Sequence, residues 1–171
     1  GGGGGGGAPL PTEVKEDIDS SVGGIISLGH VTVEIPPNVL PGNATITIQE
    51  LFEGDFVGIL SDSLRISLLG KVYEITTSGE RYFGETNYIT IIFDFDPNNL
   101  PLGQRPVIHY YDEEKGQWVE IKTDIEYDEE TGKWKAVVKV NHLTKFAVFA
   151  APWRPYMDDR YLTAVAIFQT G

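Results

Sequence analysis

Asp94, Asp96 and Asn98 stand at alternate positions of FDFDPNN, residues 93–99, where a run of β-branched residues meets a proline. Oxygen-bearing side chains this close together suit a hard cation, since Ca2+ gathers about six to eight oxygen ligands. The spacing is not that of an EF-hand loop. Asp94 and Asp96 are also the residue types of a glycosidase acid pair, which works only with a sugar cleft across it, and nothing in the sequence indicates such a cleft. The competing reading is a solvated strand end. No cofactor is required by these residues, and Ca2+ is the candidate ion.

A second set of acids is written twice. YDEEKGQW (111–118) returns sixteen residues later as YDEETGKW (127–134). Each copy reads as a hairpin: the glycine takes the positive-φ position of the loop, the aspartate bonds its own backbone, and Tyr and Trp pair across the strands. Cation binding by the acids is the alternative. Asn43-Ala44-Thr45 is a glycosylation sequon in a Pro/Gly turn, which makes Asn43 a candidate if a glycosylating cell exports the chain. His30, His109 and His142 fit no metal-ligand spacing, and their expected roles are structural. No G-x-S-x-G, G-x-G-x-x-G or P-loop occurs, and the chain is expected not to be an enzyme.

Composition narrows the partners. The 171 residues carry 13 basic and 25 acidic side chains, a formal charge of -12. Nucleic acid is bound through clustered Lys and Arg, which this chain does not have, so nucleic acid and anionic membranes are poor partners. No apolar run is long enough to span a membrane. Without cysteine, disulfides, zinc fingers and thiol chemistry are excluded.

The elements that position these residues are strands. GIISL (24–28), HVTVEI (30–35), ATITIQEL (44–51), YITIIFDF (88–95), VIHYYD (107–112), QWVEIK (117–122), TDIEYD (123–128), KWKAVVKVN (133–141) and KFAVFA (145–150) alternate or cluster β-branched residues. SLRISLLGKVYEITT (63–77) reads as two strands or one bent at Gly70. Short strands with Gly and Pro turns predict an all-β fold, a β-sandwich or barrel, and about nine strands plus a terminal exchange strand suit an antiparallel β-sandwich. The expected organisation is a Gly-rich arm over 1–22, a sandwich over 23–150, and a linker with an extra strand over 151–171.

GGIISLGHVTVEIPPNVLPGNATITI resembles the opening of the ZU5 family of β-sandwich domains, with its Gly-Gly strand, Ile-Pro-Pro strand end and alternating strand. PVIHYYDEEKGQWVEI followed by VNHLTKFAVFA resembles the close of ZU5-like modules in secreted and S-layer-associated prokaryotic proteins. The matching positions are Tyr110, Tyr111, Asp112, Gly116, Trp118, His142, Thr144, Phe146, Ala147 and Val148. The resemblance covers about residues 23–150. It implies an extracytoplasmic structural or adhesive module and brings no catalytic residues.

Both ends lie outside that resemblance. GGGGGGG at the start reads as a tether, or as a thin arm laid in a narrow slot. The first residue is Gly1 rather than Met, which a removed signal peptide, a tag or other processing would explain. An extracellular or cell-surface location is expected. At the other end RYLTAVAIFQTG (160–171) places Tyr161, Val165 and Ile167 on one face and Leu162 and Phe168 on the other. A strand apolar on both faces expects burial on both sides. It either returns to its own sheet or completes the sheet of a neighbouring copy, as donor strands do in pili, and the N-terminal arm is the other candidate donor. The expected function is that of a structural subunit of an extracellular filament, tube or S-layer-like array, a homopolymer whose partner is itself. The alternative is a monomeric module of a larger surface protein that binds a glycan or protein, with Trp118, Trp134 and Trp153 as its platform.

Overall fold

The computed structural model describes residues 11–56 and 58–152. In chain order the elements are β1 (Glu13–Ile18), β2 (Gly24–Leu28), β3 (Val31–Ile35), β4 (Ala44–Leu51), α1 (Glu53–Phe56), α2 (Asp62–Ser67), β5 (Val72–Thr77) and β6 (Ile89–Phe95). A 3-10 turn over Pro97–Asn99 leads to β7 (Gln104–Asp112), β8 (Gln117–Glu120), β9 (Asp124–Asp128), β10 (Lys133–Val140) and β11 (Lys145–Pro152). The eleven strands form two antiparallel sheets, one of six in the order β1-β4-β5-β11-β7-β8 and one of five in the order β2-β3-β6-β10-β9. The fold is the expected all-β sandwich.

Period-two patterning fills the space between the sheets. Val31 and Val33 of β3, Ile46 and Ile48 of β4, and Ile89, Ile91 and Phe93 of β6 are buried, and their neighbours in sequence point away. Tyr73, Ile108 and Phe146 join the same cluster. Full burial of a Val, Ile or Phe side chain contributes about 1.5–3 kcal/mol, so inward alternation of this kind fixes the register of each strand.

Two features depart from the sequence reading. EVKEDI, inside the expected arm, is strand β1, paired with β4 from Glu13↔Gln49 to Ile18↔Ala44. As an edge strand it buries only Ile18 fully, so its sequence lacks the apolar alternation of its neighbours. Asp62–Ser67, inside the expected strand 63–77, is a short helix capped by Ser61, whose side chain accepts from the Leu64 N–H. The bend expected at Gly70 is present: Leu68 bridges to Phe149 while Phe146 pairs with Tyr73. Between those pairs five steps along one strand match three along the other, a bulge centred on Gly70 at φ 93°.

The Gly-Gly and Ile-Pro-Pro signatures meet in space. Gly23 has φ 72°, and a Cβ there would sit 2.2 Å from the Ile35 carbonyl oxygen and 2.9 Å from Pro36 C. Only glycine lets the turn after β1 pass this closely over the end of β3. That turn carries the chain from the six-stranded sheet to the five-stranded one. On the opposite flank β8 hands over to β9 in the same sense, pinned by Thr123, whose hydroxyl accepts from the Ile108 N–H and donates to the Ile121 carbonyl at 2.9 Å each.

The start of β1 and the end of β11 share one pole. Glu13 pairs near the end of β4, Leu51 pairs with Val72 at the start of β5, and Leu68 bridges to Phe149 near the end of β11. The chain therefore enters β1 and leaves β11 on the same side of the sandwich.

Candidate functional site: a polar cleft and a bare edge

At that pole the sheets part around a cleft of about 620 Å³. Its lining combines Ile66, Leu69 and Phe95 with Asp94, Asp96 and Lys133, drawn from separate elements. No cleft beside the Asp94–Asp96 pair is legible in the sequence, because residues far apart in the chain build it. Each carboxylate has local work. Asp96 Oδ1 accepts from the Asn98 N–H at 2.9 Å and caps the 3-10 turn, while Asp94 Oδ2 accepts from Lys133 Nζ at 3.5 Å. Asn98 thus reaches Asp96 through its backbone. Among the described residues no group of three or more His, Cys, Asp and Glu side chains is placed to hold a metal ion.

The twin acidic loops are twin hairpins. Asp112 Oδ1 accepts from the Glu114 and Lys115 N–H groups at 3.0 and 3.1 Å, and Asp128 Oδ1 accepts from Glu130 and Thr131 at 2.9 and 3.4 Å. Gly116 and Gly132 hold φ 62° and 71°, the left-handed position that closes each loop. Tyr111 pairs with Trp118 and Tyr127 with Trp134, at ring-centroid distances of 5.4 and 5.0 Å. Lys135 beside Asp128 also holds that carboxyl below its usual range.

The positions of the family resemblance gather around the first hairpin. Thr144, buried just before β11, donates its hydroxyl to the Tyr111 carbonyl at 2.8 Å. His142 stands edge-on to Tyr110, with centroids 4.7 Å apart. Burial, reinforced by the charge of Arg81, pushes the His142 pKa below that of a free imidazole. Lys145 lies 5.5 Å over the Tyr111 ring and bridges Glu74 and Glu113 at 3.1 and 3.4 Å. Burial raises the Glu113 carboxyl, but Arg81 and Lys145 outweigh it and hold the pKa below the usual value. This corner is structural, joining β7, β8 and β11.

The four sheet edges of the described residues are not alike. β1 carries Glu13, Lys15, Glu16 and Asp17, β9 carries Asp124, Glu126 and Asp128, and β8 ends in Glu120. Charges on an edge discourage pairing with a foreign strand. β2, Gly-Ile-Ile-Ser-Leu, is the one edge strand of the described residues with no charged side chain. Ile26 and Leu28 point inward, whereas Ile25 is 68% exposed, beside Val22 at 67%.

Other expected sites divide. Asn43 is exposed, and its Oδ1 accepts from the Ser20 N–H at 2.9 Å. Trp118 and Trp134 are half-buried rather than displayed: Trp118 donates to the Ile59 carbonyl at 2.9 Å and packs edge-on against Phe149. A platform built on them is therefore not offered. Tyr161, Leu162, Val165, Ile167 and Phe168, the expected exchange strand, lie outside the described residues, as do Trp153 and the heptaglycine arm. No helix of the described residues is long and apolar enough to cross a membrane.

No protein-family model matches the chain, and no curated protein matches it.

Proposed function

We propose that this chain is a structural subunit of an extracellular filament, tube or surface array, assembled by β-strand complementation between copies. The observation that carries the reading is the uncharged edge β2, with Ile25 exposed on it and Val22 exposed just before it, while the other edge strands of the described residues bear charge. The last twelve residues, 160–171, have the composition that such an edge accepts: strand-forming, apolar on both faces and charged only at Arg160. Ladder hydrogen bonds along β2 would set the register of the added strand, and apolar contact with Ile25 and Val22 would supply affinity. The ZU5-like grammar of residues 23–150 supports a cell-surface setting.

Ile25→Lys tests the reading. The side chain is exposed, so the sandwich folds, while a lysine on the edge opposes strand addition. The wild-type protein should form polymers visible by negative-stain electron microscopy and sedimentation. Ile25→Lys, or removal of residues 160–171, should leave monomers. A wild-type protein that stays monomeric at every concentration, or an Ile25→Lys variant that assembles normally, refutes it; the first result favours a monomeric glycan- or protein-binding module.

A further inference from the structure

Asn43 carries a motif that neither the sandwich nor its bare edge uses. Asn43, Ala44 and Thr45 form an Asn-x-Thr acceptor sequence with alanine, not proline, in the middle. We propose that Asn43 is the attachment point of an N-linked glycan, joined before β1 docks on β4. In the transfer Nδ2 of Asn43 bonds to C1 of the first sugar of a polyprenyl-diphosphate-linked oligosaccharide. The C1–O bond to the diphosphate breaks, Nδ2 gives up a proton, and the polyprenyl diphosphate leaves.

The fold treats the two ends of this amide differently. Oδ1 accepts from the Ser20 N–H at 2.9 Å, which holds the side chain against the β1–β2 turn. Asn43 is exposed, and among the described residues its Nδ2 has no hydrogen-bond partner. A glycan on Nδ2 leaves the carbonyl oxygen, and with it the Ser20 bond, in place. There is room for it. Hollows of about 420 and 220 Å³ meet at Asn43 and Ala44, and a Cβ on Gly42 would meet nothing within 4 Å. Asp17, Asp19, Thr45 and Ser78 line the larger hollow with oxygens that suit sugar hydroxyls. The residue two positions on sets the order of events. The acceptor sequence demands Ser or Thr there, and a hydroxyl is what those two share. In the fold Thr45 Oγ1 donates to Asp17 Oδ1 at 2.6 Å, its N–H donates to Ser78 Oγ at 2.9 Å, and its carbonyl accepts from the Ser78 N–H at 3.0 Å. Asp17 is the ladder partner of Thr45 in β1. A transferring enzyme therefore meets a free Thr45 hydroxyl only before β1 closes on β4.

The test exports the full chain through a glycosylating secretory system behind a cleavable signal, and weighs the purified protein before and after treatment with a peptide N-glycosidase. The wild type should carry a glycan that the enzyme removes. Asn43→Gln and Thr45→Val should lack it, and Thr45→Ser should keep it. In a second arm the full chain, made without export and folded, meets solubilised oligosaccharyltransferase and its lipid-linked donor. The folded wild type should be modified poorly. Asp17→Ala changes an exposed side chain and frees the Thr45 hydroxyl, so the folded variant should be modified several-fold better. An exported wild type without a glycan, or a glycan that survives Asn43→Gln, overturns the site. A folded wild type modified as completely as the exported chain, or Asp17→Ala no better than wild type, overturns the order of events. The site depends on export but not on assembly, which sedimentation reads separately. An unglycosylated protein that polymerises would sink this proposal and leave the strand-addition reading standing, and a glycosylated monomer would do the reverse.

Discussion

Thr144→Val isolates one hydrogen bond at the corner where β7, β8 and β11 meet. Valine has nearly the shape of threonine, so no cavity opens, but the donor to the Tyr111 carbonyl at 2.8 Å is lost. Thr144 is 4% exposed, and water cannot easily take its place. An acceptor buried without its donor costs about 1–3 kcal/mol, against a gain of about 0.8 kcal/mol for the added methyl group. The net loss should be up to about 2 kcal/mol. For a chain of this length that corresponds to a fall in Tm of up to roughly 8 °C. Urea titrations of wild type, Thr144→Val and Thr144→Ser measure it, with an unchanged m-value showing that only native-state stability moved. Serine keeps the hydroxyl and should lie closer to wild type. A valine variant as stable as wild type, or a serine variant worse than valine, would refute the argument that the hydroxyl rather than the packing holds this corner.

Gly23→Ala should be far more damaging than Gly132→Ala. Both have positive φ, which costs a side chain about 1–2 kcal/mol, but only at Gly23 does the new Cβ collide with backbone, at 2.2 Å; comparable melting temperatures for the two variants would contradict this. Acidification should destabilise the fold through His142. Its pKa is lowered in the fold, so below about pH 6.5 the unfolded chain takes up the proton first. Stability should then fall until pH passes the folded value and level off, and denaturant midpoints of His142→Gln should lack this component. Calcium should shift Tm little, since Asp96 caps a turn and Asp94 faces Lys133; a site filled at a hundredfold over its Kd would add about 2.7 kcal/mol, and a shift of that size abolished by Asp94→Asn would establish a calcium site.

Much of the fold was legible in the sequence because it rests on local rules. ATITIQEL alternates cleanly and is β4 from its first residue to its last. The repeated Tyr-Asp…Gly-x-Trp pattern carries its own turn chemistry, so both hairpins could be drawn before any coordinates. β1 escaped because an edge strand with one fully buried residue does not need the periodicity that betrays a central one. The helix at Asp62–Ser67 escaped because DSLRIS is too short for a helical repeat to register, and its apolar residues mimic a strand. The bare edge was unreadable for another reason: GIISL announces a strand, but its place at the margin of the sheet depends on which strands pair elsewhere.

The shared pole of entry and exit has a mechanical consequence. Tension applied between Glu13 and Pro152 pulls both from the same side of the sandwich. The β1–β4 ladder would then open one bond at a time, like a zipper, instead of resisting as a block in shear. A ladder opened bond by bond in this way yields at lower force than the same ladder loaded in shear.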